Sequence, residues 1–269
     1  MLSLSKYRQA FELGFESALA YRLNFTVSLI SAAFPIFIQT FMWTAIYQNS
    51  QQEVVYGFTF KQMIAYTFLA GLTSRLIRTG FEHEIMLDVK NGLYSRFLVQ
   101  PLGYFPYRMA AWFGQKLPGQ SIILAILAVM LVGLSLFGGI TLEPLRLAGY
   151  ALTIVMAALL NFVIFYGVSA VAFWIVDIGF LFEGIRISAV LLSGGIFPLE
   201  VFGAQFVAVM RLLPFMYTVN FPLNVLNGRL SLAEVGQGLL LQCLWIGICL
   251  GLAELAWRAG RKRYVAVGG

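Results

Sequence analysis

The chain has 269 residues, of which 60% are hydrophobic and 11% charged, less than half the charge of an average soluble domain, which is about 25%. No soluble fold of this length hides so much apolar surface, so the solvent has to be lipid and the chain reads as an all-α polytopic membrane protein. The net charge is +6, but no basic stripe with interleaved aromatics is present, which excludes nucleic acid as a partner; in a membrane protein the placement of the charges matters more than their sum.

Residues 1–22 carry Leu4, Tyr7, Phe11, Phe15 and Ala18 at helical spacing with Lys6, Arg8, Glu12 and Glu16 between them, the pattern of an interfacial amphipathic helix. The acids and the missing small-residue cleavage site argue against a removable signal peptide. A first span is expected over 24–47, rich in Phe34, Phe37, Phe41 and Trp43, with a kink at Pro35. A short polar loop, 48–60, leads to a second span over 61–79 that closes on Arg75 and Arg78.

Next comes the most charged run of the chain, FEHEIMLDVKNGLYSRFLVQPL, residues 81–102. Met86, Val89, Leu93 and Phe97 share one helical face, and Glu82, Glu84, Asp88, Lys90 and Arg96 fall largely elsewhere. Asn91-Gly92 is suited to a helix end. The spacing predicts two short amphipathic helices at a membrane surface, one of them a docking helix for a soluble partner.

A third span over 106–138 holds Arg108 and Lys116 in its first turns and Pro118 near the bilayer boundary, and ends at Gly138-Gly139. The fourth, 146–176, ends at Asp177 and places Asn161 near its middle, where an interhelical hydrogen bond is the ordinary use of a neutral polar group. The fifth, 180–197, is short, carries Glu183 and Arg186 three residues apart, and is broken by Gly194, Gly195 and Pro198. Those two charges are read as a structural pair or as part of a gate. Residues 198–233 alternate apolar pieces with Pro and Asn and read as a re-entrant region, which is tolerated at membrane depth only under protein cover or facing water. The sixth span is 235–257, followed by a basic tail. Cys243 and Cys249 lie in an apolar run and act as small apolar residues.

Of the 18 Lys and Arg, 14 fall on one side if the amino terminus, the 80–105 stretch, the 177–186 turn and the tail share that side. The positive-inside rule then puts both termini and the 81–100 helices in the cytoplasm and 198–233 outside.

No phosphate-binding loop is present, so ATP and Mg2+ are not expected on this chain. His83 is the sole histidine, and the H-E-x-x-H zinc pattern fails at Leu87, so neither a metal site nor a histidine-based nucleophile is expected. The spans lack a central carboxylate, which an ion-coupled carrier needs, and a scaffold or enzyme independent of any ATPase would need a catalytic group that is not found.

The layout and four local segments resemble the permease subunit of ABC-2 type transporters, in the subgroup of short permeases formerly filed as unknown function. The segments are GLYSRFLVQPLGY at 92–104, SGGIFPL at 193–199, Leu213-Pro214-Phe215 with Tyr217-Thr218 and Phe221-Pro222, and Trp257 with Arg263-Tyr264 and the final Gly-Gly. The resemblance implies the type V exporter fold with six transmembrane helices, an amphipathic connecting helix over 1–22 and a coupling helix over 81–100. It implies a separate ATPase subunit carrying ATP and Mg2+, a second permease (a copy or a sister chain), and a place in a bacterial plasma membrane. On this reading Glu82, Glu84, Met86, Asp88, Val89 and Leu93 would couple to the ATPase. Gly194, Gly195 and Pro198 would form the break that caps the exit, and Phe34, Phe37, Phe41 and Asn161 would line a path for an amphipathic or apolar cargo.

Overall fold

The computed structural model describes residues 2–20, 22–100, 102–137, 143–175 and 179–264. Pro101, Gly138-Gly139, Asp177 and the final Gly268-Gly269 lie outside the described residues. In chain order the elements are α1 (Leu2–Ala20), α2 (Arg22–Asn49), a hairpin of β1 (Val54–Val55) and β2 (Phe58–Thr59), α3 (Phe60–Ile77), α4 (Glu82–Lys90), α5 (Ser95–Val99), α6 (Tyr104–Phe137), α7 (Pro144–Ser169), α8 (Gly179–Leu192), α9 (Ala204–Met210), α10 (Asn220–Leu226) and α11 (Leu232–Arg261). Among the described residues four stretches are long and apolar enough to cross a bilayer: Thr26–Asn49, Tyr104–Leu136, Pro144–Phe173 and Leu232–Arg261. The chain is an all-α, multi-pass membrane protein.

Local chemistry sets most helix starts. Thr59 and Ser231 each begin a capping box, with Gln62 and Glu234 reaching back to the cap amide, so orphan donors at both helix ends are satisfied. The expected polar loop at 48–60 instead closes as a hairpin with Val54 opposite Thr59. Tyr56 and Gly57 supply the two positive φ angles, +53° and +79°, that a two-residue turn of this hand requires. Pro35 sits inside α2 without ending it.

Helix α1 does not lie free at the interface; it is docked along the first half of α6. A Cβ on Gly14 would stand 2.3 Å from the Ala111 carbonyl, and one on Gly114 would stand 2.0 Å from that of Phe11. Two facing glycines thus let the backbones touch, the usual device for close helix contact in lipid. Leu13 and Leu19 remain exposed on the other side.

The core is organised around α7, with α3, α4, α10 and α11 packed on it. Helix α8 spans 14 residues, roughly 21 Å at 1.5 Å per residue, short of a bilayer core of about 30 Å. The chain then turns at Ser193–Gly195 and folds back as α9 and α10. Every residue of α10 is buried, whereas α9 leaves Ala204, Gln205, Ala208 and Val209 exposed.

Candidate functional site

The four family-like segments meet in two pairs. Tyr94 and Tyr104 pack edge-on or tilted against Trp257 and Tyr264 in one aromatic box: ring centroids are 5.7 Å apart for Tyr94–Trp257, 5.3 Å for Tyr94–Tyr264 and 5.2 Å for Tyr104–Trp257. The Trp257 indole N–H donates to the Tyr166 carbonyl at 2.9 Å. Burial raises the Tyr94 phenol above its ordinary pKa, so it stays neutral in the box. In the second pair the Asn220 backbone N–H donates to the Ser193 carbonyl at 2.9 Å, and the Tyr66 hydroxyl donates to the Gly194 carbonyl at 2.7 Å.

Helix α4 is held by two arginines. Arg108 of α6 pairs with Glu84 at 2.5 Å and with Asp88, and the Tyr104 hydroxyl donates to the same Asp88 oxygen at 2.6 Å. Arg186 of α8 lies 3.4 Å from Glu82 and 2.7 Å from Glu183, and the Thr79 hydroxyl donates to Glu82. Ile85, Met86 and Val89 are buried in the same core as Phe162, Phe165 and Tyr166 of α7. Arg108, Arg186 and Thr79 thus occupy the acids that the resemblance assigned to an ATPase, and the core occupies Met86 and Val89. Glu82 is 1% exposed; of the six, Glu84 and Leu93 keep substantial exposure, at 44% for the Glu84 side chain and 37% for Leu93.

The reason is the helix break. The turn at Asn91–Tyr94, with Gly92 at φ +74°, rotates Leu93 away from the face of Met86 and Val89. The outward side of α4 is instead His83, Leu87 and Lys90, and α5 adds Arg96, Leu98 and Val99. Their spacing of four and three residues was readable; which of two amphipathic faces turns inward was not.

A cavity of about 490 Å3 opens between α2, α3, α7 and α8. Ser28, Ser31, Pro35 and Gln39 of α2 face it at spacings of three, four and four, a polar stripe. Arg75, Arg78, Glu183 and Arg186 stand at one end, and Ser193 and Gly195 also line it. Asn161 lines it and donates to the Ile77 carbonyl at 2.8 Å, the interhelical bond expected of a neutral polar residue. Phe34, Phe37 and Phe41 do not line it: they are 67%, 58% and 73% exposed on the opposite side of α2. Within the single chain Pro35 and Gln39, not these aromatics, face inward, so a path along Phe34, Phe37 and Phe41 would run on the outer face of α2. Trp43 is buried in the core.

The break beside the cavity is sterically defined. Gly194 has φ +81°, and a Cβ there would lie 2.9 Å from the Tyr66 hydroxyl; one on Gly195 would lie 2.5 Å from Ser74 Oγ. Pro198, also buried, starts the short helical turn Leu199–Phe202. No group of metal-ligating side chains is found among the described residues.

Apolar spanning helices, a cavity lined by α2, α3, α7 and α8, and a charged helix pinned to α6 and α8 fit a membrane transport component. Residues 33–268 match the family described as ABC-2 family transporter protein, and the chain belongs to that family. It is accordingly the membrane part of an ABC transporter system, which works with an ATPase. Comparison with curated proteins and with solved structures gives no significant match.

Proposed function

We propose that this chain is the permease subunit of an ATP-binding-cassette exporter and moves an amphipathic or apolar substrate out of the cytoplasm with energy from a separate ATPase subunit. The observation that carries the reading is the Glu82–Arg186 contact: the residue that pins α4 is also a wall of the cavity. A displacement of α4 by an ATPase would therefore act on the cavity directly through α8. The docking face in this proposal is His83, Leu87 and Lys90 with Leu93 and the exposed part of Glu84, while Glu82, Asp88, Met86 and Val89 transmit the movement inward.

On this reading the six spans of the type V exporter fold are α2, α3, α6, α7, α11 and the stretch 180–197, in which α8 is too short to cross alone. Both termini lie in the cytoplasm of a bacterial plasma membrane, and Gly194, Gly195 and Pro198 shape the outer closure. A second permease covers the exposed ridge of Phe34, Phe37 and Phe41. The test is gentle purification of the tagged chain from its own host with identification of what accompanies it. A soluble ATPase at near-equal amount is the expected result, and Leu87→Glu with Lys90→Glu should remove it while the permease stays folded. Absence of any ATPase from the wild-type preparation would overturn the proposal.

A further inference from the structure

The outward side of α4 and α5 is cationic, and a second segment joins it. Lys90 and Arg96 are exposed on either side of the turn at Asn91–Tyr94. α11 ends at Arg261 and runs on into a tight turn, in which the Arg263 N–H donates to the Gly260 carbonyl at 2.9 Å. That turn leaves Lys262 and Arg263 exposed and sends Tyr264 back into the aromatic box. The Tyr264 ring lies 5.3 Å from that of Tyr94 and 5.8 Å from that of Phe173 between centroids. Two distant stretches of chain therefore bring four cations to one ring pair, each at most four residues from Tyr94 or Tyr264.

These four charges are not neutralised within the chain. Among the described residues no carboxylate lies in ion-pair range of Lys90, Arg96, Lys262 or Arg263. The acids of the same elements are occupied: Glu84 and Asp88 by Arg108, Glu82 by Arg186, and Glu254 by Arg258 and Arg261. A cationic amphipathic helix can rest on anionic lipid, but it then puts its apolar face into the bilayer. Here Ile85, Met86 and Val89 commit that face to the core with α7. The face that carries Lys90 and the 37% exposed Leu87 is left for water or a soluble partner.

We infer that the turn after α4 and the segment Lys262–Tyr264 form one cationic docking patch, and that the ATPase surface it meets is acidic, with carboxylates opposite Lys90, Arg96, Lys262 and Arg263. The partner's identity rests on the exporter reading above; the second segment and the sign of the charge are new. Exposed charges at the rim of an interface act mainly on the association rate and its salt dependence, so the effect is read there.

The test uses the full chain in phosphatidylcholine nanodiscs and the ATPase recovered with it, and reads the association rate by surface plasmon resonance. Raising salt from about 50 to about 300 mM should slow association about tenfold, because screening shortens the reach of the attraction. Lys262→Glu with Arg263→Glu should slow it about tenfold although α4 is untouched, and Lys90→Glu with Arg96→Glu should do the same. Tyr264→Ala should slow it with all four cations present, because the segment loses its anchor. Tyr264→Phe removes a hydroxyl that is buried without a hydrogen-bond partner and should match wild type. Lys61→Glu with Arg211→Glu, exposed cations elsewhere, measures the effect of net charge alone and should change little. Association that ignores salt and the Lys262 and Arg263 changes, or that falls equally with the Lys61 and Arg211 changes, overturns the inference. Unchanged association in a Lys262 and Arg263 variant that no longer enriches phosphatidylglycerol from mixed nanodiscs also overturns it, and gives the patch to the membrane. An ATPase that binds without regard to these charges sinks the patch and spares the exporter reading, whereas a wild-type chain that recruits no ATPase sinks the reading and the patch with it.

Discussion

Helices α2 and α7 are both long, apolar and uncharged through their middles, yet they live in different surroundings. About 6% of the most apolar window of α2 is buried within the chain, against 50% for α7. α7 carries the aromatic core and touches α3, α4, α10 and α11; α2 leans mainly on α3. Lipid is as apolar as leucine, so transfer from water does not separate the two positions, and packing and polar contacts decide. Helix α2 turns most of its surface outside the chain, where the proposed function would seat a second permease, while α7 is the packed frame.

The contrast can be broken or sharpened by substitution. The largest effect is expected at the frame: Arg108→Ala strands Asp88, whose side chain is 14% exposed, and losing one partner of a buried pair costs about 3–5 kcal/mol. Thermal unfolding in detergent should show a large loss, and an unchanged midpoint would mean that α4 is not anchored by this arginine. Gly194→Ala comes next, with a left-handed backbone and a Cβ against Tyr66 and Asn220, for about 1–3 kcal/mol. The same unfolding assay checks it, and a neutral result would show that the break relaxes freely. Asn161→Ala removes the bond to the Ile77 carbonyl and should cost about 1 kcal/mol, read as a shift in the midpoint between those of Gly194→Ala and wild type. The smallest effect belongs to α2: Phe37→Ala should leave the isolated chain within about 0.5 kcal/mol of wild type, as a substitution outside the packed core. Cross-linking should at the same time show less self- or sister-chain association, and a large loss of stability in the monomer would erase the distinction between packed frame and outward-facing helix.

The fold was legible in proportion to how local its causes are. The span at 235–257 and the helix break at Gly92 follow from apolar runs and from glycine's tolerance of positive φ. The α4 face was harder. Met86 and Val89 were recognisable as one face, but two amphipathic faces of a nine-residue helix are distinguished only by what waits opposite. Here that is Phe162 and Tyr166 on one side and Arg108 on another. The Phe34, Phe37 and Phe41 ridge was ambiguous for the same reason: in a membrane, large apolar side chains mark the outside as readily as the inside. The Ser28, Ser31, Pro35 and Gln39 stripe was the better signal, since polar groups in a span have to face something other than lipid.

By itself the sequence determined the solvent, the helical class, the absence of a phosphate loop and the segments that mark the family, because each depends on composition or on a few adjacent residues. Tertiary structure decided the rest. It alone brought Tyr94 to Trp257 and Ser193 to Asn220, closed Arg108 on Asp88 and Arg186 on Glu82, and set a cavity and an apolar groove on either side of the α2–α3 contact. Those are contacts between residues distant in the chain, and side-chain type does not specify a partner until the helices have chosen their neighbours.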